Sequence, residues 1–248
     1  MDRLLELTYR AEQYHFWFRG FRAYVRPEIA RAVDGITRPT LLDCGCGTGS
    51  NLTMLREFGA AYGFDLTWNG VRFARAHGHA IARASIDAIP FPNARFDVAT
   101  SFDVFQCLPD DVEEQAAREM WRVLKPGGHA IVHAAALDVL SGGHSVLSEE
   151  VRRYTPSRLR SVFERAGFAI DRLTFAHLSL LPLMLPVRVW QRWRSGGKLE
   201  AGEFDIQVPA APINAALTGL VRLEAAALRA VNMPIGSSLL LRARKPAL

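Results

Sequence analysis

Lysine, cysteine and long apolar runs are all scarce in this chain. Only three of its 30 basic residues are lysines (Lys125, Lys198 and Lys245), and the formal net charge is +5 over 248 residues. A charge of that size bears on solubility and weak attraction to anions rather than on fold. Nucleic-acid binding requires basic residues clustered with exposed aromatics; no such block stands out, so no nucleic-acid partner is expected. Three cysteines, Cys44, Cys46 and Cys107, do not make a disulfide framework. No histidine follows them at metal-ligand spacing, so no metal is expected. Cys44 and Cys46 read as small residues beside glycines. The opening residues mix Asp2, Arg3 and Glu6 with leucines and lack the apolar run of a signal peptide. The most apolar stretch, Leu178 to Val187, is interrupted by Pro182 and Pro186 and falls short of the roughly 20 residues that span a bilayer. The expected location is cytoplasmic.

What remains is an ordinary globular composition, 49% hydrophobic and 22% charged. The length suits one α/β domain with a sizeable core, with or without a cap. Residues 1–36 read as helical, with Leu4, Leu7, Ala11, Tyr14 and Phe18 at three- and four-residue spacing. They hold a dense aromatic patch, Tyr14 to Phe18, followed by Arg19 and Arg22. From Thr40 strands alternate with helices. Strands are predicted at Thr40–Asp43, Ala60–Asp65, His79–Ala84, Phe96–Ser101 and His129–Ala135. Helices are predicted at Trp68–His77 and Asp110–Leu124, the second carrying Asp110, Asp111, Glu113 and Glu114 in its first turn, where the helix dipole favours acids. Lys125-Pro126-Gly127-Gly128 is expected to stop that helix and turn the chain. The alternation argues a parallel sheet covered by helices on both faces, spanning residues 40–175 as one core.

A helix at Thr155–Ala166 and a strand at Phe168–Phe175 close that core. Residues 176–235 then read as an insertion that caps an active site. It holds the apolar piece Leu178–Val187, a basic aromatic piece (Arg188, Trp190, Arg192, Trp193, Arg194), a Gly/Pro-rich stretch (Gly196–Pro212) and an amphipathic helix, Ile213–Val231. A last strand follows at Ser237–Arg244, within residues 236–248.

The chemistry is concentrated in Leu41–Asn51, a strand running into the loop Asp43-Cys44-Gly45-Cys46-Gly47-Thr48-Gly49. Glycines let the backbone turn sharply and approach a ligand with no Cβ between. In open α/β sheets, ligands bind just outside the carboxyl ends of the strands. The spacing of Gly45, Gly47 and Gly49 fits neither the dinucleotide fingerprint nor a phosphate-binding P-loop. Asp43, just ahead of the first glycine, would repel a pyrophosphate and favour a cationic group such as an amino-acid ammonium. Asp65 ends the second strand, where a carboxylate can accept both hydroxyls of a ribose. Asp87, after the third strand, can accept from an adenine amino group. Each acid alone reads equally well as a solvated loop carboxylate; three at consecutive strand ends beside a glycine loop do not.

These segments resemble the class I S-adenosylmethionine (SAM)-dependent methyltransferases. The carrying pieces are Leu42–Gly49, Gly63-Phe64-Asp65-Leu66, Ile86–Phe91, Arg95-Phe96-Asp97-Val98 and Arg122–Gly128, in the family's order. The resemblance implies a Rossmann-like α/β fold with a seven-stranded sheet whose last strand is antiparallel, an N-terminal helical lid and a helical insertion before that strand. It implies SAM as cofactor, held by Asp43, Gly45, Cys46, Gly47, Gly49, Asp65, Leu66, Ile86, Asp87, Ala88, Ser101 and Phe102, with Arg19 or Arg22 reaching its carboxylate. A looser likeness, over Tyr14–Arg22, Arg152–Thr155 and Pro212–Leu223, is to a bacterial methyltransferase type 11-like subgroup. Where many relatives carry Glu-His after the fourth strand this chain has Gln106-Cys107, so no role for that histidine carries over.

Methyl transfer from a sulfonium is a single displacement, in which alignment supplies much of the rate. A general base is needed only for a poorly acidic hydroxyl or amine. Candidates are His133, favoured by its strand-end position, then His144, Tyr154 and His15; a lone histidine is otherwise a structural residue. The expected acceptor is a small apolar, aromatic or lipid-like molecule, because the insertion offers little charge. Residues 176–193 read first as cap or core, then as a pocket lining, and last as a membrane contact. Two alternatives remain open at this level: a SAM-binding enzyme catalysing cyclisation or rearrangement, and a non-catalytic binding protein.

Overall fold

The computed structural model describes residues 2–194 and 207–247. Alternation of buried side chains drives its central sheet. Along β1 (Thr40–Cys44), Leu41 joins one core cluster and Leu42 the other, the period-2 signature of a strand buried on both faces. The remaining strands are β2 (Ala60–Asp65), β3 (Ile81–Arg83), β4 (Phe96–Phe102), β5 (Leu124–Ala135), β6 (Ala169–Ala176) and β7 (Ser238–Arg244). They form one seven-stranded sheet in the order β3-β2-β1-β4-β5-β7-β6. β1 to β5 are parallel, and β7 runs antiparallel to both β5 and β6, as the resemblance implies.

Helices cover both faces. On one face, α5 (Asp110–Val123) and α7 (Pro156–Arg165) pack Ala117, Met120 and Phe163 against Leu42, Phe96 and Val132. On the other, α2 (Phe16–Ala32), α4 (Trp68–Ala76) and α9 (Ala211–Leu228) bring Val25, Ile29, Val71, Val221 and Leu228 against Leu41, Val98 and Leu240. The remaining helices, α1 (Asp2–Ala11), α3 (Ser50–Leu55), α6 (Gly143–Leu147) and α8 (Leu181–Arg194), lie at the periphery of this frame or follow the strand ends.

Three boundaries differ from the sequence reading. The N-terminal helix is broken at residues 12–15: His15 caps α2 by accepting from Trp17 N at 3.1 Å, while Glu12 turns inward to Thr48 Oγ1 at 2.6 Å. Most of α2 is then a core helix, and its first two turns reach the strand ends, where Phe21 meets Phe102 and His133. The Lys125–Gly128 segment does end α5, but it already belongs to β5 as a bulge. Leu124 pairs with Phe96, and regular pairing resumes at His129 opposite Val98. Gly127 takes φ +80° there and its N donates to Lys245 O at 2.9 Å. In the insertion, the proline-bearing apolar piece continues into helix α8, and α9 packs along α2 as part of the core. Most of the Gly/Pro-rich stretch Gly196–Pro212 lies outside the described residues.

Candidate active site

Parallel strands place their carboxyl ends along one edge, so the acids and the histidine named above meet there. The backbone after β1 turns through three left-handed glycines: Gly45 at φ +76°, Gly47 at +52° and Gly49 at +82°. The turn is anchored by Gly45 N and Cys46 N, both donating to Phe64 O at 3.0 Å. A Cβ on Gly45 would stand 2.6 Å from Val104 Cγ2. The glycine loop therefore packs directly on the segment that follows β4, and both the φ angle and the contact exclude a side chain.

Asp43 is fully buried at the end of β1. Its Oδ1 accepts from Thr100 Oγ1 at 2.7 Å, whereas Oδ2 is buried with no hydrogen-bond partner. Burial pushes this carboxyl up to about 7; the Thr100 bond works against that rise and nearby Asp65 adds to it. A buried carboxylate oxygen left without a donor is costly unless a cation or donor completes it. Asp65 is also buried, and both its oxygens already accept: Oδ2 from Gly47 N at 2.8 Å, Oδ1 from Thr67 N at 2.9 Å and Thr67 Oγ1 at 2.6 Å. It locks the glycine loop onto β2 and keeps spare lone pairs for a ribose. Asp87, half-buried in the turn after β3, accepts no hydrogen bond from the described residues.

The flanking positions divide. Leu66 is 59% exposed beside Asp65, and Ala88 is exposed in the turn after Asp87, both open to a ligand. Ile86 and Cys46 are core side chains, so only their backbone can serve. Ser101 is wholly buried and its hydroxyl donates to Cys44 O at 3.3 Å; it ties β4 to β1 inside the sheet. Phe102 points its ring toward α2, edge-to-face with Phe21 at 5.0 Å. Arg19, half-buried in the first turn of α2, makes no side-chain hydrogen bond within the described residues, leaving it available to a carboxylate. Arg22 instead donates to Glu12 O at 2.7 Å and Ser50 Oγ at 3.3 Å.

Glu12 stands out only in the folded structure. Its Oε1 is buried without a partner, and burial raises its carboxyl against the pull of Thr48, His77 and Arg22. Above it, α1 crosses the glycine loop: Leu5 Cδ2 lies 3.4 Å from a Cβ position on Gly47, and Tyr9 stacks on Phe73 at 4.5 Å.

His133, level with Phe102 in the β4–β5 ladder, is 1% exposed. Its Nδ1 lies 2.8 Å from Asp103 Oδ1. Partial loss of solvent works to raise Asp103, whose side chain is 47% exposed, but His133, Gln106 and His144 outweigh it and hold its carboxyl below the usual range. An ionised carboxylate only accepts, so Nδ1 of His133 donates to it and Nε2 is the ring nitrogen left over. That Nε2 is buried and has no hydrogen-bond partner among the described residues. Asp103 sits at φ +58° and, across the site, His177 at φ +62°; strained backbone of this kind persists where the surroundings over-determine it. His177 stacks flat on Trp17, with centroids 4.0 Å apart, and meets His133 edge-to-face at 5.9 Å. Burial, reinforced by His133, keeps it neutral far below the ordinary histidine range. Neither Asp103 nor His177 emerged from the sequence. The available signal for Asp103 was an acid one residue past β4, beside a histidine at the same level of β5.

His144, in α6, lies near enough to Asp103 to act on its charge. Tyr154 does not belong to the site. It bridges Ala136 and fills the core beneath α5 and α7, its hydroxyl donating to buried Glu113, and burial with that carboxylate raises its phenol. His15 is spent on capping α2.

The residues fit SAM: a buried, donorless Asp43 oxygen for a cationic group, a cradle no Cβ can enter, and acids at the ends of β2 and β3. Comparison with known proteins agrees. The methyltransferase domain family matches residues 42–132. The chain is 32% identical over 184 residues to a malonyl-[acyl-carrier protein] O-methyltransferase of Herminiimonas arsenicoxydans, covering 68% of this chain and 69% of that one. It spans about half to two thirds of the length of the curated relatives it matches. A SAM-dependent methyltransferase structure from Thermotoga maritima superposes with a TM-score of 0.58 at 17% identity, covering 98% and 97% of the two chains. The [4+2]-cyclase SpnF superposes at 0.55 with 20% identity, covering 89% and 79%. The fold and the glycine-loop site thus define a SAM-binding methyl-transfer enzyme. The chain belongs to the SAM-dependent methyltransferase family, and SAM is its cofactor.

Proposed function

We propose that the chain transfers a methyl group to a hydroxyl oxygen of a small apolar, aromatic or lipid-like acceptor, with His133 as general base and Asp103 as its orienting partner. The observation that carries this reading is the 2.8 Å Asp103–His133 pair with a buried, unpartnered Nε2. An already ionised carboxylate acceptor would need no base, so a built His–Asp pair favours a hydroxyl. Oxygen as the acceptor atom also suits the O-methyltransferase relatives. Phe21, Phe102 and Trp17 around the histidines supply apolar walls.

Bound SAM supplies an electrophilic methyl on a sulfonium. Asp43, Asp65, Asp87 and Arg19 would hold its charged and polar groups, and the glycine loop would let its backbone contacts form. With the acceptor hydroxyl held beside it, His133 Nε2 would take up the hydroxyl proton as the oxygen is methylated. Asp103 stabilises the imidazolium so formed and fixes the ring. Trp17, Phe21 and α1 exclude water from the reacting centre.

Methyl-labelled SAM incubated with a panel of phenols, prenols and hydroxyacyl compounds tests the assignment. A hydroxyl compound should acquire label, and His133→Gln should lower kcat about 10²–10⁴-fold while SAM affinity by calorimetry stays unchanged. Product formed without consumption of SAM would refute methyl transfer. Full activity of His133→Gln on that acceptor would remove the base.

A further inference from the structure

Helix α8 was expected as cap or core, yet the structure turns its aromatic side outward. Leu183 is 55% exposed, Val187 44%, Val189 55%, Trp190 53% and Trp193 81%. Leu183, Val187, Trp190 and Arg194 follow one stripe at helical spacing. The helix contains three arginines and no acid, and Arg194 lies over the Trp190 ring at 5.3 Å. Its inner side is anchored: Arg188 is buried against Gly142, and Met184 packs on the core. The segment entering α8 is tied to α9, because Leu178 N and Ser179 N donate to Glu224 at 2.9 and 2.8 Å. That inward bond also removes the single acid of α9 from its outer face. There Ile213 (55%), Leu220 (37%) and Leu223 (73%) are exposed with Arg222 between them. The α8 face thus presents large apolar side chains and Arg194 to the outside, and α9 carries an outward stripe of the same character without a carboxylate.

We propose that this face docks the protein on an anionic lipid bilayer. Tryptophan and arginine beside aliphatic residues suit the headgroup boundary, where apolar bodies insert and guanidinium groups meet lipid phosphates. The helix lies on the surface and does not cross it: at 14 residues it is about 21 Å long, and among the described residues no helix is long and apolar enough to span. A second copy of the chain is the poorer occupant, since a two-fold contact on this face would bring Arg194 against a surface of the same charge. An acidic protein partner meets the charge but not the outward tryptophans as well as a lipid interface does. The face adjoins the segment after β5, Asp138–Leu140, through α8, so docking brings the carboxyl-end edge of the sheet close to the membrane.

Vesicle flotation of the full chain tests this independently of any acceptor. Vesicles of phosphatidylcholine are compared with vesicles containing about 30% phosphatidylglycerol. The chain should bind the anionic vesicles about tenfold better, and added salt should weaken that binding. Trp190→Ala/Trp193→Ala should lower anionic-vesicle binding about tenfold, and Arg194→Glu should lower it as well. Circular dichroism and SAM affinity should stay as in the parent, because these side chains are exposed. Equal binding of both vesicle types, or unchanged binding by the double variant, would overturn the proposal. So would absence of binding, whether sedimentation then shows a dimer that Trp193→Ala dissolves or an added acidic carrier protein occupies the face. Loss of SAM affinity in the parent would instead strike at the methyltransferase reading and leave this result standing.

Discussion

Asp43 makes cofactor binding a function of pH. Burial raises its carboxyl from 3.8 to about 7, so in the free protein it is protonated well below neutrality. A bound cation needs it ionised. With a midpoint near 7, about one molecule in eleven is ionised at pH 6 and about ten in eleven at pH 8, so SAM affinity should rise about tenfold across that interval. The stability of the free protein should move the other way. A carboxyl whose folded midpoint lies above its unfolded one contributes stability that is complete below the unfolded value and is lost as pH rises through the folded value. Here that loss runs from about pH 4 to 7 and amounts to about 4 kcal/mol at its end. Asp43→Asn keeps the shape and the proximity to Thr100 without the charge. Calorimetry should therefore find its SAM affinity flat with pH, and weaker than the parent at pH 8 by about tenfold or more, the worth of a charge-assisted bond. The difference in melting temperature between variant and parent, scanned from pH 5 to 8, isolates Asp43 from His177, which titrates with the opposite sign. A parent affinity that does not change between pH 6 and 8 would refute the assignment of Asp43 to a cationic group.

Asp65→Ala should weaken SAM binding by about 1–3 kcal/mol by calorimetry, because ribose hydroxyls lose their acceptor and Gly47 N its anchor; unchanged affinity would move the ribose elsewhere. Tyr154→Phe should cost about 1–3 kcal/mol in denaturant unfolding, since buried Glu113 loses a donor, with kcat unaltered; a collapse of kcat at normal stability would return Tyr154 to the site. Glu28 is buried and accepts from Arg31 at 2.5 Å, Arg172 at 2.6 Å and Arg242 at 2.9 Å. Glu28→Gln should therefore lose about 3–5 kcal/mol of stability, as expected when one partner of a buried ion cluster is removed, and thermal unfolding measures it.

The legible part of this chain is the part written in local rules. A strand buried on both faces, a glycine turn that no Cβ can enter and an acid at a strand end are each dictated within a few residues, and so residues 40–135 could be placed by inspection. Even there, the three acids turn out to do different things: Asp43 waits with a donorless oxygen, Asp65 spends both oxygens on Gly47 and Thr67, and Asp87 stays open. The proposed catalytic half was less legible because it is made by chain crossings. Asp103 reaches His133 across adjacent strands, His177 arrives from the end of β6, and Trp17 stacks on it from α2, 160 residues away in sequence. Tyr154 shows the converse. Its position after β5 suggests an active-site loop, but a hydroxyl at the far end of a ring can be delivered to either side of a sheet. Glu113, on α5, decided which. The α8 stripe failed for a third reason: an apolar, arginine-bearing run reads the same whether it faces a core, a pocket or a bilayer. Only Arg188 against Gly142 and Glu224 against Leu178 and Ser179 fix which side faces in. The same long-range contacts that hide the acceptor half of the reaction from the sequence therefore also orient the face proposed to meet the bilayer.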